Sequence, residues 1–140
     1  MRRRERGAIA IEVVLLVPVL LLVVGMLVAG WRVWAARQGA EAAAQAAARS
    51  ASLQLTGTQA RSIAERVASA NLETLHVECV PATTVDVGDF AKPVGTRGDV
   101  TVAVSCRVTF SDLLLPGTPG SIVVKARATE RLDTFAERRP

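Results

Sequence analysis

Residues 7–31 read Gly7-Ala-Ile-Ala-Ile-Glu12-Val-Val-Leu-Leu-Val-Pro18-Val-Leu-Leu-Leu-Val-Val-Gly25-Met-Leu-Val-Ala-Gly-Trp31, and this stretch decides the fold. After Glu12 it runs for roughly 19 residues without a charge, interrupted only by Pro18, Gly25 and Gly30. A helix of that length rises ~29 Å, close to the hydrocarbon thickness of a bilayer, so residues 8–34 are expected to form a transmembrane helix. Trp31 and Trp34 follow at its far end, where amphipathic rings settle at a membrane–water boundary. Ahead of the stretch stand Arg2, Arg3, Arg4 and Arg6, offset only by Glu5; the positive-inside rule then places the N-terminus in the cytoplasm. A cleaved secretory signal is the rival reading. Its apolar core would be shorter, ~7–15 residues, and Ala40-Glu41-Ala42, the one passable cleavage site, lies well beyond the core.

Working outward, residues 35–55 contain ten Ala, the strongest helix former, so the helix is expected to continue past the membrane. Arg37, Glu41, Gln45 and Arg49 form one drifting polar stripe, and Ala36, Ala40, Ala43, Ala47 and Ala51 a smooth face elsewhere. That smooth face suits either the chain's own outer domain or a neighbouring subunit. Gly39 is expected to weaken the helix and Thr56-Gly57-Thr58 to end it. Thr58 then caps a second helix reaching Ala70, with Ile63, Val67 and Ala70 on one side. The helical portion outside the membrane is thus residues 35–71.

Beyond Asn71 the periodicity becomes alternating, and residues 72–135 read as a small antiparallel β-rich domain with a polar tail, 136–140. Leu75, Val77 and Cys79 alternate with His76 and Glu78, and residues 83–87 form a short strand turned by Gly88-Asp89. In residues 100–110, Val100, Val102, Val104, Cys106, Val108 and Phe110 share one face. In residues 121–132, Ile122, Val124, Ala126 and Ala128 point in, and Lys125, Arg127, Thr129 and Arg131 point out. Three or four strands with one wet face fit, and the fold class is α+β. Cys79 and Cys106 both fall on apolar faces. Outside the cytoplasm they would form one disulfide closing a loop of roughly 27 residues, worth about 3–4 kcal/mol; the alternative is two buried thiols.

The basic balance, 17 Lys+Arg against 13 Asp+Glu, raises the question of a polyanionic partner. Nucleic-acid binding is disfavoured because no run of basic residues persists in the outer domain. Arg97-Gly98-Asp99 spells an adhesion tripeptide but reads as a turn before a strand. Leu113-Leu114-Leu115 reads as core or as a docking surface beside the loop of residues 116–120. With two Cys and one His, no G-x-x-x-x-G-K-[ST] loop, no C-x-x-C and no H-E-x-x-H, an enzyme, a metal site and a cofactor are not expected.

The basic leader, then Gly7, four apolar residues and Glu12 running directly into an apolar helix, resembles the processing site of type IV prepilins. With Val17-Pro18, Leu20-Leu21-Leu22 and Gly25 added, the first third of the chain resembles the TadE-like family, pseudopilins of the tight-adherence (Flp) pilus-assembly system. Val13 in place of the Tyr of the short major pilins argues against a major pilin. The resemblance implies that residues 1–7 are a leader removed by a prepilin peptidase after Gly7, exposing the amine of Ala8. It also implies that Glu12, fifth in the mature chain, pairs with the Ala8 amine of the next subunit. Partners would be the peptidase, other pseudopilins and the pilus-assembly platform, in hetero- or homo-oligomers formed through the N-terminal helix. The location would be the inner membrane, single-pass, with the C-terminal domain outside, or the pilus itself. Pro18 kinks or loosens the helix, either to let a subunit leave the bilayer or as a proline tolerated there. Gly25 and Ala29 form a small-xxx-small pair that permits close helix contact. Losing residues 1–7 removes four Arg and one Glu, so the formal +4 falls to +1. The alternative function is an uncleaved single-pass membrane protein whose outer domain binds a ligand or partner.

Overall fold

The computed structural model describes residues 3–75, 77, 79–112 and 120–137, with side chains described from residue 13 onward. A single helix, α1, runs from Arg3 to Ser52, and Pro18 lies inside it without ending it. The apolar half is held by its composition and the second half by its alanines, which lose no side-chain entropy on becoming helical. A short turn leads to α2, Gly57–Thr74. The sheet follows as β1 (Val80–Asp86), β2 (Asp99–Thr109) and β3 (Ser121–Arg131), all antiparallel in the order β1-β2-β3. Between β1 and β2 the residues Gly88–Ala91 make a 3-10 turn that buries Phe90. The class is α+β, with both helices on one face of the sheet and the other face left bare by the described residues.

The core joins alanine from the helices to valine from the sheet. Ala40, Ala43, Ala47 and Ala51 of α1 are fully buried, and so are Ala60, Ala64 and Ala68 of α2. Two alanine faces let the helix axes approach closely, since no long side chain holds them apart. The sheet supplies Val100, Val102, Val104, Cys106, Val108 and Phe110, the alternating set read from the sequence, together with Val124 and Ala126. The smooth face of α1 is therefore covered by its own domain rather than offered to a neighbouring subunit. The polar stripe of Arg37, Glu41, Gln45 and Arg49 faces solvent, as its spacing predicts.

Several local readings are corrected. Thr56, not Thr58, caps α2: its backbone is extended and its Oγ1 accepts from the Gln59 N–H at 3.3 Å. Gly57 is buried instead of ending a helix, because a Cβ there would sit 3.3 Å from Val87 Cγ2. The buried face of α2 accordingly runs Gly57, Ala60, Ala64, Ala68, Leu72, one position off the Ile63–Val67–Ala70 line, and Ala70 is exposed. Gly39 is not a weak point but a contact, where a Cβ would fall 2.5 Å from Val77 Cγ2. The first strand begins at Val80, so Leu75, Val77 and Cys79 belong to the connection before it. His76, Glu78, residues 113–119 (the leucine triplet and most of the Pro/Gly loop) and 138–140 lie outside the described residues. Ile122, expected inward, is 39% exposed near the start of β3.

Cys79 and Cys106 are bonded, with Cα atoms 5.3 Å apart. The bond ties the connection after α2 to the middle strand and lies at the sheet's helix-covered face, where Cys106 is fully buried.

Candidate functional site

The large apolar side chains of residues 13–28 are left exposed by the described residues of the chain. Val14, Leu15, Leu20, Leu21, Met26 and Leu27 are all more than 60% exposed, although they are among the most apolar side chains present. This is the described helix segment long and apolar enough to cross a membrane, and none of its apolar window is buried by the protein. Water cannot be its solvent: a contiguous apolar surface of this extent marks a membrane or another apolar partner. Insertion is favoured by about 0.3–0.6 kcal/mol for each central Leu or Val.

Where the apolar stretch ends, Trp31 and Trp34 stand three residues apart on one side of α1, with ring centroids 5.3 Å apart and planes at 38°. Both remain more than half exposed. At the same level Arg32 donates twice to Asp112, Nη1 to Oδ1 at 2.9 Å and Nη2 to Oδ2 at 2.7 Å. This forked pair spans 80 positions of sequence. It fixes the membrane-side end of the sheet to the helix exit, and the guanidinium holds the Asp112 carboxyl below the usual carboxylate range. Beside it lies an open groove of about 670 Å³ walled by Trp31, Trp34, Ala35, Gly39, Val77 and Val108.

The remaining sequence-read residues fall as follows. Gly7, Ala8 and Glu12 lie in the first turns of α1, Ala8 and Glu12 one turn apart. Pro18 follows six residues after Glu12; its missing N–H leaves the Val14 carbonyl without the usual helical donor. Gly25 and Ala29 are half-buried, and Ala29 packs against the edge of the core. Arg97-Gly98-Asp99 is built into the sheet: Gly98 is buried and its carbonyl accepts from Leu132 N–H at 2.9 Å. The Asp99 N–H donates to Asp89 Oδ2 at 2.9 Å. The tripeptide is thus the entry to β2, not a displayed loop.

One feature escaped sequence reading. Arg107 is far from Lys125 and Arg127 in sequence, but the register pairs Arg107 with Val123 and Ser105 with Lys125, which brings all three onto the bare face of the sheet. The outer domain does carry a basic cluster; pairing makes it, not a run of sequence. The alternation of both strands was the available signal, and the register was the missing fact.

A long bare apolar helix, aromatic rings at its exit and a small disulfide-bonded α+β domain bound to that exit define a protein consistent with single-pass membrane anchoring. The family model described as TadE-like protein matches residues 7–49, which bears out the TadE-like resemblance and associates the chain with tight-adherence pilus systems. No curated protein and no solved structure matches the chain.

Proposed function

We propose that this protein is a pseudopilin or minor pilin, cut after Gly7 by a prepilin peptidase, that supports assembly of a tight-adherence pilus. The observation that carries this reading is the TadE-like match over residues 7–49, which begins at the glycine preceding the expected cut. The chain acts as a peptidase substrate and an assembly component, not as a catalyst. Residues 1–7 serve as a topogenic leader, with the N-terminus in the cytoplasm and the disulfide-bonded domain outside the inner membrane. Gly7 suits the cut because glycine lowers helix stability by about 1 kcal/mol relative to alanine, easing local unwinding near the end of α1.

After cleavage the Ala8 amine, ordinarily titrating near pH ~7.7–8.0, is largely protonated at neutral pH. Glu12 of an adjacent subunit then pairs with it in a low-dielectric setting, where either charge alone is costly, and the pair sets the axial stagger. The alanine face of the outer half of α1 is covered by the chain's own domain, so the helix-to-helix contacts of this reading fall to its membrane half. The test is the intact mass of the protein extracted from its native host membrane. Loss of residues 1–7 is expected, and an intact N-terminus overturns the reading. Glu12→Ala is expected to insert normally while lowering pilus number; unchanged piliation would remove the charge pair.

A further inference from the structure

We propose that the bare face of the three-stranded sheet docks an acidic segment of a laterally neighbouring protein. Register builds the face from the outward residues of all three strands. Val80, Arg107 and Val123 form one row across the sheet, Ala82, Ser105 and Lys125 the next, Thr84, Ala103 and Arg127 the third, and Asp86, Thr101 and Thr129 the fourth, so the cations gather toward the Arg107 end. The middle strand thus offers only Ser105 and Ala103 in the second and third rows, and the cations stand above this low floor. Two shallow depressions result. One, of about 300 Å³, lies around Arg107 between Val80 and Val123; the other, of about 440 Å³, lies between Arg127 and Asp86, so the first is the better seat for an acidic side chain. Val80 is 72% and Val123 47% exposed, so Arg107 stands between two exposed apolar side chains. An arginine in an apolar surround is a combination that binding surfaces favour.

Charge selects the partner. Lys125 and Arg127 are two positions apart on one strand, ~6.8 Å, and Arg107 lies diagonally across from Lys125. A strand with acids at alternate positions, or a helix with acids one turn apart at ~6 Å, matches that spacing. Among the described residues the face carries no aromatic ring, which disfavours nucleobases, since single-stranded nucleic acid is gripped largely by stacking.

Geometry separates a protein neighbour from the bilayer. Arg32 holds Asp112 at the membrane-side end of the sheet, while Gly57 meets Val87 and Phe90 at the other end. The strands therefore run lengthwise along α1, and their bare face looks sideways instead of down. That sideways orientation rests on the membrane-anchored reading above; the charge match does not.

The test uses the full chain in neutral-lipid nanodiscs and a fluorescein-labelled poly-L-glutamate peptide, read by fluorescence anisotropy. Saturable binding is expected, weakening as salt rises from about 50 to about 300 mM. Reversal of Arg107, Lys125 and Arg127 to Glu is expected to weaken it at least tenfold, whereas the same reversal of Arg61 and Arg66 on α2 leaves it within twofold. Should the triple variant fail to fold, Arg127→Gln alone must still weaken binding at least twofold. Absence of binding, equal loss in the α2 variant, or tighter binding to oligodeoxythymidylate or phosphatidylglycerol vesicles would each overturn the proposal. An uncleaved N-terminus in the host would defeat the assembly reading and leave this result standing.

Discussion

Replacing both Cys79 and Cys106 by Ala removes the covalent tie between the connection after α2 and the middle strand. The sequence separation is 27, so the unfolded chain regains the entropy of a loop of that length. On the chain-entropy estimate this amounts to about 3.5 kcal/mol. For an outer unit of roughly 100 residues, 1 kcal/mol corresponds to about 4–8 °C in melting temperature, so a fall of roughly 14–28 °C is expected. The effect is large because little else locks this corner. The helices bury mostly alanine methyls, and among the described residues only Phe90 and Phe110 are buried aromatics, while Phe135 is 87% exposed. The assay is scanning calorimetry of the full chain in nanodiscs, oxidised wild type against the double variant. A fall under about 5 °C would refute the reasoning, as would two iodoacetamide-reactive thiols in the unreduced wild type.

Ala47→Leu adds three carbons at a fully buried position of α1, and overpacking is expected to cost about 1–3 kcal/mol of outer-domain stability; an unchanged melting temperature would mean that this face is not internal. The Asp112 carboxyl, lowered chiefly by its hydrogen bonds from Arg32, is expected to titrate below the usual carboxylate range by carboxyl carbon NMR, and Arg32→Gln is expected to bring the midpoint back up. Because the folded state holds the carboxyl depressed, its contribution is present above the unfolded value and is lost as pH falls through the folded one. Equal midpoints in the two proteins would dismiss the pair.

The parts of this fold legible from sequence were those carried by local periodicity. Residues 13–31 announce a membrane helix because length and unbroken apolarity suffice, whatever surrounds them. β2 was equally plain, since five apolar residues at alternate positions, with Phe110 just beyond them, leave a strand one way to bury them. Where two local codes competed, reading failed. In Thr56-Gly57-Thr58 either threonine can cap a helix, and the choice fell to Thr56 because Gly57 must approach Val87, a contact thirty positions away. Gly39 looked like a defect because propensity sees only the helix, whereas Val77 occupies the space a side chain would need.

The site divides in the same way. The leader, Gly7, Glu12 and the apolar run are contiguous, so the resemblance they carry could be read directly, and the match over residues 7–49 takes in Gly7, Glu12 and the apolar run. The sequence by itself determined the helix that seeks a membrane, the α+β class and the apolar faces carrying the two cysteines, because each depends on neighbours a few residues apart. Only the tertiary structure decided that the alanine face of α1 is spent on its own domain, that Arg32 grips Asp112, and that Arg107 joins Lys125 and Arg127. These depend on strand register and helix docking, which bring together residues as far as 80 positions apart and which no local pattern encodes.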